Sequence, residues 1–424
     1  MTRLAQAAVL LAAIGAPAFG DEIDGVALLN KARAKILENT RRLPKYTCVQ
    51  SVQRSRFEEP PAIHVKGCDA VESPGMATRM ILFWADRLKL DVTVSAGQEI
   101  FSWVGARTFQ SGDLEDIIGG GMTGTGDFGP FLMGVFLTNG TEYRYLGMRP
   151  EHGGTLAAYR YRVPVEVSHY QVKTGPKPDD EATMAYEGEF RIDPQTAELI
   201  RMTIEVPHPP AEAEICRVET DIEYGRTRIG GADLLLPQAT VLKIWDVAAK
   251  RHENRIEYSA CREFQAESVF RTDVETPAGA SAAPAPPVEI PPGRPVRIAL
   301  GSKIDSDTAC AGDAVEGLLA NDIRDRSGRV AAPAGSVVRG RIVRFERQYQ
   351  PSHFFAVGLR FNSIEVNGRE ISLTLRAFNR SRKNQHLLGP VEKRRGVGMF
   401  MFRSDRLLLD RTFVSEWRTA AAGR

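Results

Sequence analysis

The chain has few of the features that mark an enzyme or a metal protein. It contains no Gly-x-Ser-x-Gly elbow, no serine with lysine three positions later and no His-Glu-x-x-His pair. These are signatures of exported esterases, penicillin-recognising enzymes and zinc hydrolases. Its seven histidines are dispersed. We therefore expect no metal and no cofactor, and we keep a hydrolase with a site assembled from dispersed side chains as our third hypothesis.

Long hydrophobic runs are also scarce. The run from Ala5 to Ile14 is too short for a bilayer core, which needs about 20 apolar residues. With Arg3 before it and the small residues from Gly15 to Gly20 after it, the run has the pattern of a secretory signal peptide, residues 1–20. We expect cleavage after Gly20. The mature protein is then exported to the periplasm or the extracellular medium, soluble or peripheral to the outer membrane.

Five cysteines are present, and export to an oxidising compartment favours disulfides. Cys48, Cys68, Cys216 and Cys261 allow three connectivities. We favour Cys48 with Cys68 and Cys216 with Cys261, because segments close in sequence are commonly neighbours in space. A zinc site would favour a C-x-x-C spacing, which does not occur. We expect the remaining Cys310 to be a small buried residue.

A change in composition divides the chain. Residues 276–295 are rich in Pro and Ala and read as an extended linker. This predicts an N-terminal domain at residues 21–275, a C-terminal domain at residues 296–419 and a tail at residues 420–424. From Arg376 to Arg424 there are twelve Lys or Arg and four Asp or Glu. In an exported protein this basic region favours an envelope surface over nucleic acid as its partner.

The N-terminal domain begins with one helical pattern and continues with strands. Apolar residues recur at helical spacing at Ile23, Val26, Leu29, Ala32 and Ile36, before Leu43-Pro44. Alternating segments then predict an antiparallel meander. Its strands are Tyr46–Phe57, Thr78–Trp84, Leu88–Ser95, Glu99–Val104, Glu142–Gly147, Ala157–Val163, Ser168–Thr174, Thr183–Asp193, Leu199–Pro207, Cys216–Tyr224, Leu235–Asp246 and Glu253–Phe264.

A glycine-rich stretch, Gly119–Gly126, interrupts the meander between two short helix-like segments, Asp113–Ile118 and Phe128–Phe136. A phosphate-binding loop would need Lys and then Ser or Thr where Asp127 and Phe128 stand. Two interpretations stay open: a hinged flap over an apolar concavity, or helices that close one end of the sheet. Bulky apolar side chains are what a ligand cavity requires. The candidate ligand-binding residues are Trp84, Trp103, Phe128, Phe131, Leu132 and Phe136.

The C-terminal domain is also expected to be β, as a small barrel or sandwich. Asn367-Gly368 lies between two alternating runs and predicts a tight hairpin. The predicted strands are Val296–Leu300, Ala314–Leu319, Ser336–Phe345, Ala356–Val366 and Glu370–Arg376.

The order of elements in the N-terminal domain resembles that of the outer-membrane lipoprotein carrier superfamily. The resemblance covers most of Asp21 to Phe270 and includes the segments Asp86–Val92 and Tyr186–Asp193. It implies a mainly β (α+β) fold, in which an antiparallel half-barrel sheet wraps an apolar cavity plugged by short helices. It also implies a lipid or a lipoprotein as partner.

The C-terminal domain resembles the β-barrel of type IV secretion outer-membrane core proteins. The matching segments are Ile304–Asp307, Gly312–Val315 and Pro333–Gly340. The resemblance implies a shared barrel scaffold. Together the two resemblances point to an exported bacterial envelope protein.

Our first functional hypothesis is therefore a non-catalytic envelope protein that binds an apolar or lipid-like ligand in the half-barrel, with Phe128–Phe136 as its lid. The second is a scaffold that docks to the envelope or to a protein partner through the C-terminal barrel and the basic tail.

Overall fold

A computed structural model describes residues 24–60, 66–95, 98–106, 114–118, 122–151, 153–174, 180–207, 209–264, 290–377 and 396–421. The predicted signal peptide, most of the predicted linker and part of the basic region lie outside these residues. In the part described, no helix is both long enough and apolar enough to cross a membrane.

Helices are few in the described residues. They are α1 (Gly25–Arg42), α2 (Cys68–Val71), α3 (Met76–Arg79), α4 (Leu114–Ile118) and α5 (Pro130–Leu132), with a π-helical turn at Met133–Leu137 and 3₁₀ turns at Val165–Val167 and Ala211–Ala213.

Strands make up most of the fold, which is mainly β as predicted. The N-terminal strands are β1 (Tyr46–Glu58), β2 (Ile81–Ser95), β3 (Gln98–Trp103), β4 (Glu142–Glu151), β5 (Gly154–Val163), β6 (Tyr170–Lys173), β7 (Glu181–Met184), β8 (Tyr186–Ile192), β9 (Leu199–Val206), β10 (Ile215–Ile229), β11 (Ala232–Asp246) and β12 (Arg251–Glu263). The C-terminal strands are β13 (Pro295–Leu300), β14 (Ile304–Asp305), β15 (Ala314–Leu319), β16 (Ile323–Arg324), β17 (Val330–Ala332), β18 (Val337–Gln348), β19 (Phe354–Val366), β20 (Arg369–Ser372), β21 (Leu375–Ala377), β22 (Gly398–Phe402), β23 (Leu408–Leu409) and β24 (Val414–Thr419).

Helix α1 forms where the apolar periodicity predicts it, but it buries a slightly different face. The Asp24 carboxylate caps its first turn by accepting the N–H groups of residues 26 and 27 at 2.9 and 3.1 Å. Val26 is 70% exposed. The buried stripe includes Asn39, whose side chain exchanges two hydrogen bonds with the backbone of Leu235 in β11. Those two bonds orient the end of the helix against the sheet.

The N-terminal strands form an antiparallel sheet in the order β3-β2-β1-β12-β11-β10-β9-β8-β5-β4. The first strand of the meander, β1, therefore pairs with its last, β12, while the sheet keeps two edge strands. The two edge strands of the sheet are β3 and β4, which follow each other along the chain. The segment that connects them must cross from one edge of the sheet to the other.

Burial along the strands alternates, as expected for a sheet with one covered face. In β8, for example, Tyr186, Phe190 and Ile192 are buried, whereas the side chains between them are charged. Helix α1 and the π-helical turn pack on the covered side, which we call the inner face. The other side, the outer face, carries Arg and Glu side chains.

The predicted disulfide pairing was wrong. The bonds join Cys48 to Cys261 and Cys68 to Cys216. The reason is the pairing of β1 with β12. It places Cys48 in β1 beside Cys261 in β12, although 213 positions separate them. Cys310 has a free thiol, as expected, but it is half-buried.

Several predicted strand boundaries also change. Thr78–Trp84 and Leu88–Ser95 belong mostly to one continuous strand, β2, and Thr78 lies in α3. Thr183–Asp193 is divided between β7 and β8. Strands β22 and β24 had no predicted counterpart.

The C-terminal strands form a second curved array, in the order β21-β24-β13-β15-β18-β19, with β19 continuing to β20 and β22. The hairpin prediction at Asn367-Gly368 is confirmed, since both residues have positive φ angles, 52° and 71°, between β19 and β20. Trp417 is fully buried and packs edge-on against Phe361 at 5.6 Å.

The two parts of the chain share a hydrogen-bonded edge. Strand β2 pairs with β3 along Leu90–Ser95. The other end of the same edge, at Trp84–Asp86, pairs with Glu346–Gln348 of β18. Between these stretches, Ala311 bonds to the backbone of residues 87 and 89 at 2.8 and 2.7 Å. An exposed strand edge is a template for aggregation, and here the C-terminal part covers it.

Candidate functional site

Aromatic side chains line the inner face of the N-terminal sheet. The ring of Phe190 in β8 stacks on Tyr159 of β5 at 5.0 Å and meets Tyr161 at 6.0 Å. Apolar residues from β9, β10 and β11 continue this surface. Without a cover it would be a large exposed apolar patch, and such patches mark binding surfaces in soluble proteins.

Residues 126–137, which we call the plug, cover this surface. They belong to the segment that crosses from edge strand β3 to edge strand β4. The plug buries Phe131, Leu132, Val135 and Phe136 against the inner face. The ring of Phe136 meets Phe190 at 4.9 Å, so the plug fills the concavity that the sequence analysis predicts.

The plug accepts a hydrogen bond from α1 and lies in close contact with a tyrosine side chain of β8. The Nε atom of Arg33 in α1 donates to the carbonyl of Phe136 at 2.8 Å. The backbone of Gly134 lies directly beside the Tyr186 side chain. A Cβ atom at position 134 would be 2.4 Å from the Tyr186 hydroxyl oxygen, so any larger residue here requires the plug or the Tyr186 side chain to shift.

A cluster of two carboxyl groups and three phenols lies at the start of the plug. We call it the carboxylate–phenol cluster, formed by Glu99, Asp127, Tyr46, Tyr224 and Tyr258. The Glu99 carboxylate accepts the N–H groups of residues 126 and 128 at 2.9 and 3.1 Å, on either side of Asp127. The Tyr258 hydroxyl donates to the Asp127 carboxylate. Glu99 therefore attaches the plug to strand β3.

Two phenols of this cluster are buried without a partner. Among the described residues, the hydroxyls of Tyr46 and Tyr224 have no hydrogen-bond partner, although Tyr46 is fully buried and Tyr224 is 6% exposed. Burial raises the pKa of both phenols, and the charge of Glu99 adds to the shift at Tyr46, as do the charges of Asp127 and Glu99 at Tyr224. The Tyr46 ring lies 5.9 Å from that of Phe128, next to Asp127. Buried polar groups normally have partners, and these two are exceptions.

The sheet is curved around its contents. Phe101 lies in β3 and Ile229 in β10, with four strands between them in the sheet. In a flat sheet these two strands would be about 24 Å apart, at about 4.8 Å per strand. The two side chains nevertheless belong to one packed core cluster, as a curved sheet allows.

Burial raises the pKa of both carboxyl groups, and at Glu99 the charge of Asp127 adds to the shift. Burial, and then the charge of Asp127, raises the pKa of Glu99 from 4.5 to about 7, although two backbone N–H groups oppose the shift. Burial also raises the pKa of Asp127, against the hydrogen bond from Tyr258 that lowers it. Of the described residues, none forms an ion pair with either carboxylate.

This raised pKa predicts a pH-dependent stability. Between about pH 4.5 and 7 the folded protein binds more protons at Glu99 than the unfolded chain does, so the Glu99 contribution to stability falls as pH rises. The slope for one proton is at most about 1.4 kcal/mol per pH unit. We expect the difference in free energy of unfolding between wild type and Glu99→Gln to decrease from pH 5 to pH 8, as measured by urea titration.

Glu198 provides a contrast for the same measurement. The hydrogen bond from Arg226 lowers its pKa, so its contribution to stability is present above the usual value of 4.5 and is lost as pH falls. The difference in free energy of unfolding between wild type and Glu198→Gln should therefore decrease as pH falls below the usual value of 4.5. If the difference in free energy of unfolding between wild type and Glu99→Gln stays the same from pH 5 to pH 8, the raised pKa of Glu99 is contradicted.

The six predicted ligand-binding residues lie in three places. Phe131, Leu132 and Phe136 belong to the plug and meet on the inner face. Phe128 and Trp103 belong to a neighbouring core cluster that includes Tyr46 and Val343 of the C-terminal part. Trp84 is half-buried at the junction with β18, where the Arg54 guanidinium lies over its ring at 5.5 Å. The binding role of all six stays a prediction.

The sequence analysis missed the carboxylate–phenol cluster, although one signal was present. In β3 the alternation places Glu99 on the same face as Phe101 and Trp103, which are buried. An acidic residue on the buried face of a strand is unusual. The phenols gave no such signal, because tyrosine is common in any strand.

Two other grooves are polar. One of about 300 Å³ lies on the outer face among paired charges that include Arg191, Arg201 and Glu151. Another, of about 190 Å³, lies at the junction of the two parts and is lined by Arg87, Arg347 and aromatic rings. In the part of the chain described, no three His, Cys, Asp or Glu side chains are placed to hold a metal ion.

Comparison with known proteins gives similarity at the level of structure. No protein-family model matches the chain, and no curated protein matches it. A LolA superfamily protein from Nitrosomonas europaea is similar with a TM-score of 0.25 and 8% identity, over 57% of this chain and 94% of its own. A DUF1329 family protein from Desulfovibrio piger has a TM-score of 0.25 and 9% identity, over 56% and 92%.

Proposed function

We propose that the N-terminal part binds an apolar or lipid-like ligand on the inner face of its sheet, and that the plug is the lid of this site. In the closed state the plug side chains occupy the place of the ligand. In the open state the plug moves aside and the aromatic surface around Phe190 contacts the ligand instead.

The observation that carries this proposal is the construction of the plug. It is a short segment that covers the inner face, with glycines at positions 126, 129 and 134. Its second half is a π-helical turn, closed by a bond from the N–H of Thr138 to the carbonyl of Met133 at 3.0 Å. Such turns are rare and frequently mark functional sites. Glycines give the backbone freedom to change conformation.

The two disulfides support an exported location for this activity, because such bonds persist in oxidising compartments. The periplasm is the place we propose. The scaffold function and the hydrolase stay predictions, as does the resemblance of the C-terminal part to a secretion barrel.

Gly134→Ala tests the lid. The added methyl group would overlap the Tyr186 hydroxyl at 2.4 Å, which destabilises the closed plug by about 1–3 kcal/mol. If the closed state competes with the ligand, the affinity for the neutral fluorescent probe 1-N-phenylnaphthylamine should rise by about fivefold or more. Fluorescence titration of the purified full-length protein measures this change.

The chain offers both a rescue and a matched control. In Gly134→Ala with Tyr186→Phe, the nearest atom to the new methyl group would be Cζ at 3.7 Å, an ordinary contact, so probe affinity should return to the wild-type value. Gly317→Ala places a methyl group 2.3 Å from Ile298 in the C-terminal part and should leave probe binding unchanged. Equal probe affinity in wild type and Gly134→Ala, with both proteins folded by circular dichroism, would overturn the proposed lid.

A further inference from the structure

We propose that the carboxylate–phenol cluster binds the cationic head of the ligand, and that the ligand is an amphiphile with a primary ammonium group. This inference rests on the proposed function and names the chemical class of its ligand.

The first argument is the balance of hydrogen-bond donors and acceptors. The cluster presents the Glu99 and Asp127 carboxylates and the two unpartnered hydroxyls of Tyr46 and Tyr224. The two backbone N–H groups and the Tyr258 hydroxyl already donate to the carboxylates. The hydroxyls of Tyr46 and Tyr224 can each donate as well as accept, but no donor of the cluster carries a positive charge. A primary ammonium has three N–H donors and one positive charge, and it therefore supplies the charged donor that the described residues of this site lack.

The second argument is the missing counter-charge. Burying a carboxylate without a cation is costly, and two such groups lie together here. Neither has an ion pair with a Lys, Arg or His of the described residues, in contrast to the buried Asp86, which pairs with Arg54. A cationic ligand head would remove the repulsion between Glu99 and Asp127.

Aromatic rings favour an organic cation over a metal ion. The Phe128 ring lies 4.6 Å from the ring of Tyr258 and 5.9 Å from that of Tyr46. Aromatic rings attract alkylammonium groups through their negative faces. A metal ion would want a third His, Cys or carboxylate ligand, and the described residues contain no such group of three.

The cluster is continuous with the apolar site. Gly126 packs against the Phe131 ring, which a Cβ at position 126 would meet at 3.2 Å. Phe131 stacks in turn on Tyr170 at 5.8 Å, and the charge of Asp127 contributes to raising the pKa of Tyr170 to about 12. An ammonium head at the cluster can therefore have its hydrocarbon chain on the inner face beneath the plug.

Three amphiphiles with the same twelve-carbon chain test the inference. Dodecylamine, dodecanol and dodecanoate compete with 1-N-phenylnaphthylamine for the full-length protein at pH 8, where Glu99 is ionised. We expect dodecylamine to displace the probe at a concentration about tenfold or more below that of dodecanol, since a charge-assisted contact is the stronger one. Dodecanoate should be the weakest, because its charge is repelled.

Variants locate the effect in the cluster. Glu99→Gln should reduce the ratio of dodecylamine affinity to dodecanol affinity to about twofold, within the range of a neutral hydrogen bond. The ratio is the quantity compared, because a change in the plug would affect both ligands alike. Glu187→Gln removes one negative charge from the outer-face groove and should preserve the advantage.

The outcomes separate the two proposals. Equal displacement by the three amphiphiles, or an advantage that survives Glu99→Gln, would overturn the ammonium site and leave the apolar site standing. Failure of the probe and of all three amphiphiles to bind would overturn the proposed function itself.

Discussion

Replacing Asp86 by alanine is expected to lower the free energy of unfolding by about 3–5 kcal/mol. Asp86 in β2 accepts two hydrogen bonds from Arg54 in β1, one of them from Nε at 2.9 Å. The side chains are 3% and 4% exposed. The replacement removes from the buried Arg54 guanidinium the two hydrogen bonds and the negative charge of Asp86. Urea titration followed by tryptophan fluorescence measures the loss.

The same protein contains a matched control. Arg201 and Asp221 form the same two-bond pair between neighbouring strands β9 and β10, with Nε to Oδ1 at 2.7 Å. There the side chains are 41% and 31% exposed. Exposed pairs contribute about 0–1 kcal/mol, so Asp221→Ala should have a small effect. Similar losses in Asp86→Ala and Asp221→Ala would show that burial does not decide the cost.

Removing both charges should be far less costly than removing one. In Arg54→Met with Asp86→Leu no charge is buried, and such apolar replacements of buried pairs are often neutral or stabilising. We expect the double variant to recover most of the stability that Asp86→Ala loses. The pair lies where β2 meets β18, so the measurement also reports on the junction of the two parts.

Removing the Cys68–Cys216 disulfide is expected to have a comparable effect. The bond links α2 to β10 across a sequence separation of 148. A cross-link over a long loop restricts the unfolded chain, and its loss typically costs about 2–5 kcal/mol. We therefore expect Cys68→Ser with Cys216→Ser to unfold at a clearly lower urea concentration than the wild type.

Cys310→Ser is the control for this comparison, because Cys310 has no disulfide partner. It should unfold close to the wild type. Proteolysis without reduction, followed by mass spectrometry, should yield a linked peptide pair containing Cys68 and Cys216. A pair containing Cys48 and Cys68 would contradict the strand order that places Cys48 beside Cys261.

Local patterns predicted most of the elements. The period-two alternation located β1, β5, β9 and β15 within a few residues, and Asn367-Gly368 located a hairpin, because strand alternation and turn conformation depend on neighbouring residues. The same patterns placed apolar plug residues between Phe128 and Phe136. They indicated a helix-like segment there and not its type, since the π-helical turn depends on how the plug packs against the sheet.

Contacts between distant residues were not predictable from these patterns. The pairing of β1 with β12 brings Cys48 to Cys261 and contradicts the rule of sequence proximity. The pairing of β2 with β18 removes Trp84 from the inner face and places it at the junction. Both pairings depend on how strands distant in the chain assemble into one sheet, which no short stretch of sequence encodes.

The sequence by itself determined the mainly β class, the single long N-terminal helix and the apolar segment of the plug, because hydrophobic periodicity is a local property. Tertiary structure alone decided which cysteines pair, which strand edge the C-terminal part covers and where two carboxyl groups meet three phenols. Glu99 in β3 and Tyr258 in β12 come from strands that are distant in the chain, and their contacts with residues 126–128 of the plug bring them to one place. The two parts of the candidate site thus differ in origin: the plug is a local feature of the chain, and the carboxylate–phenol cluster is a product of the fold.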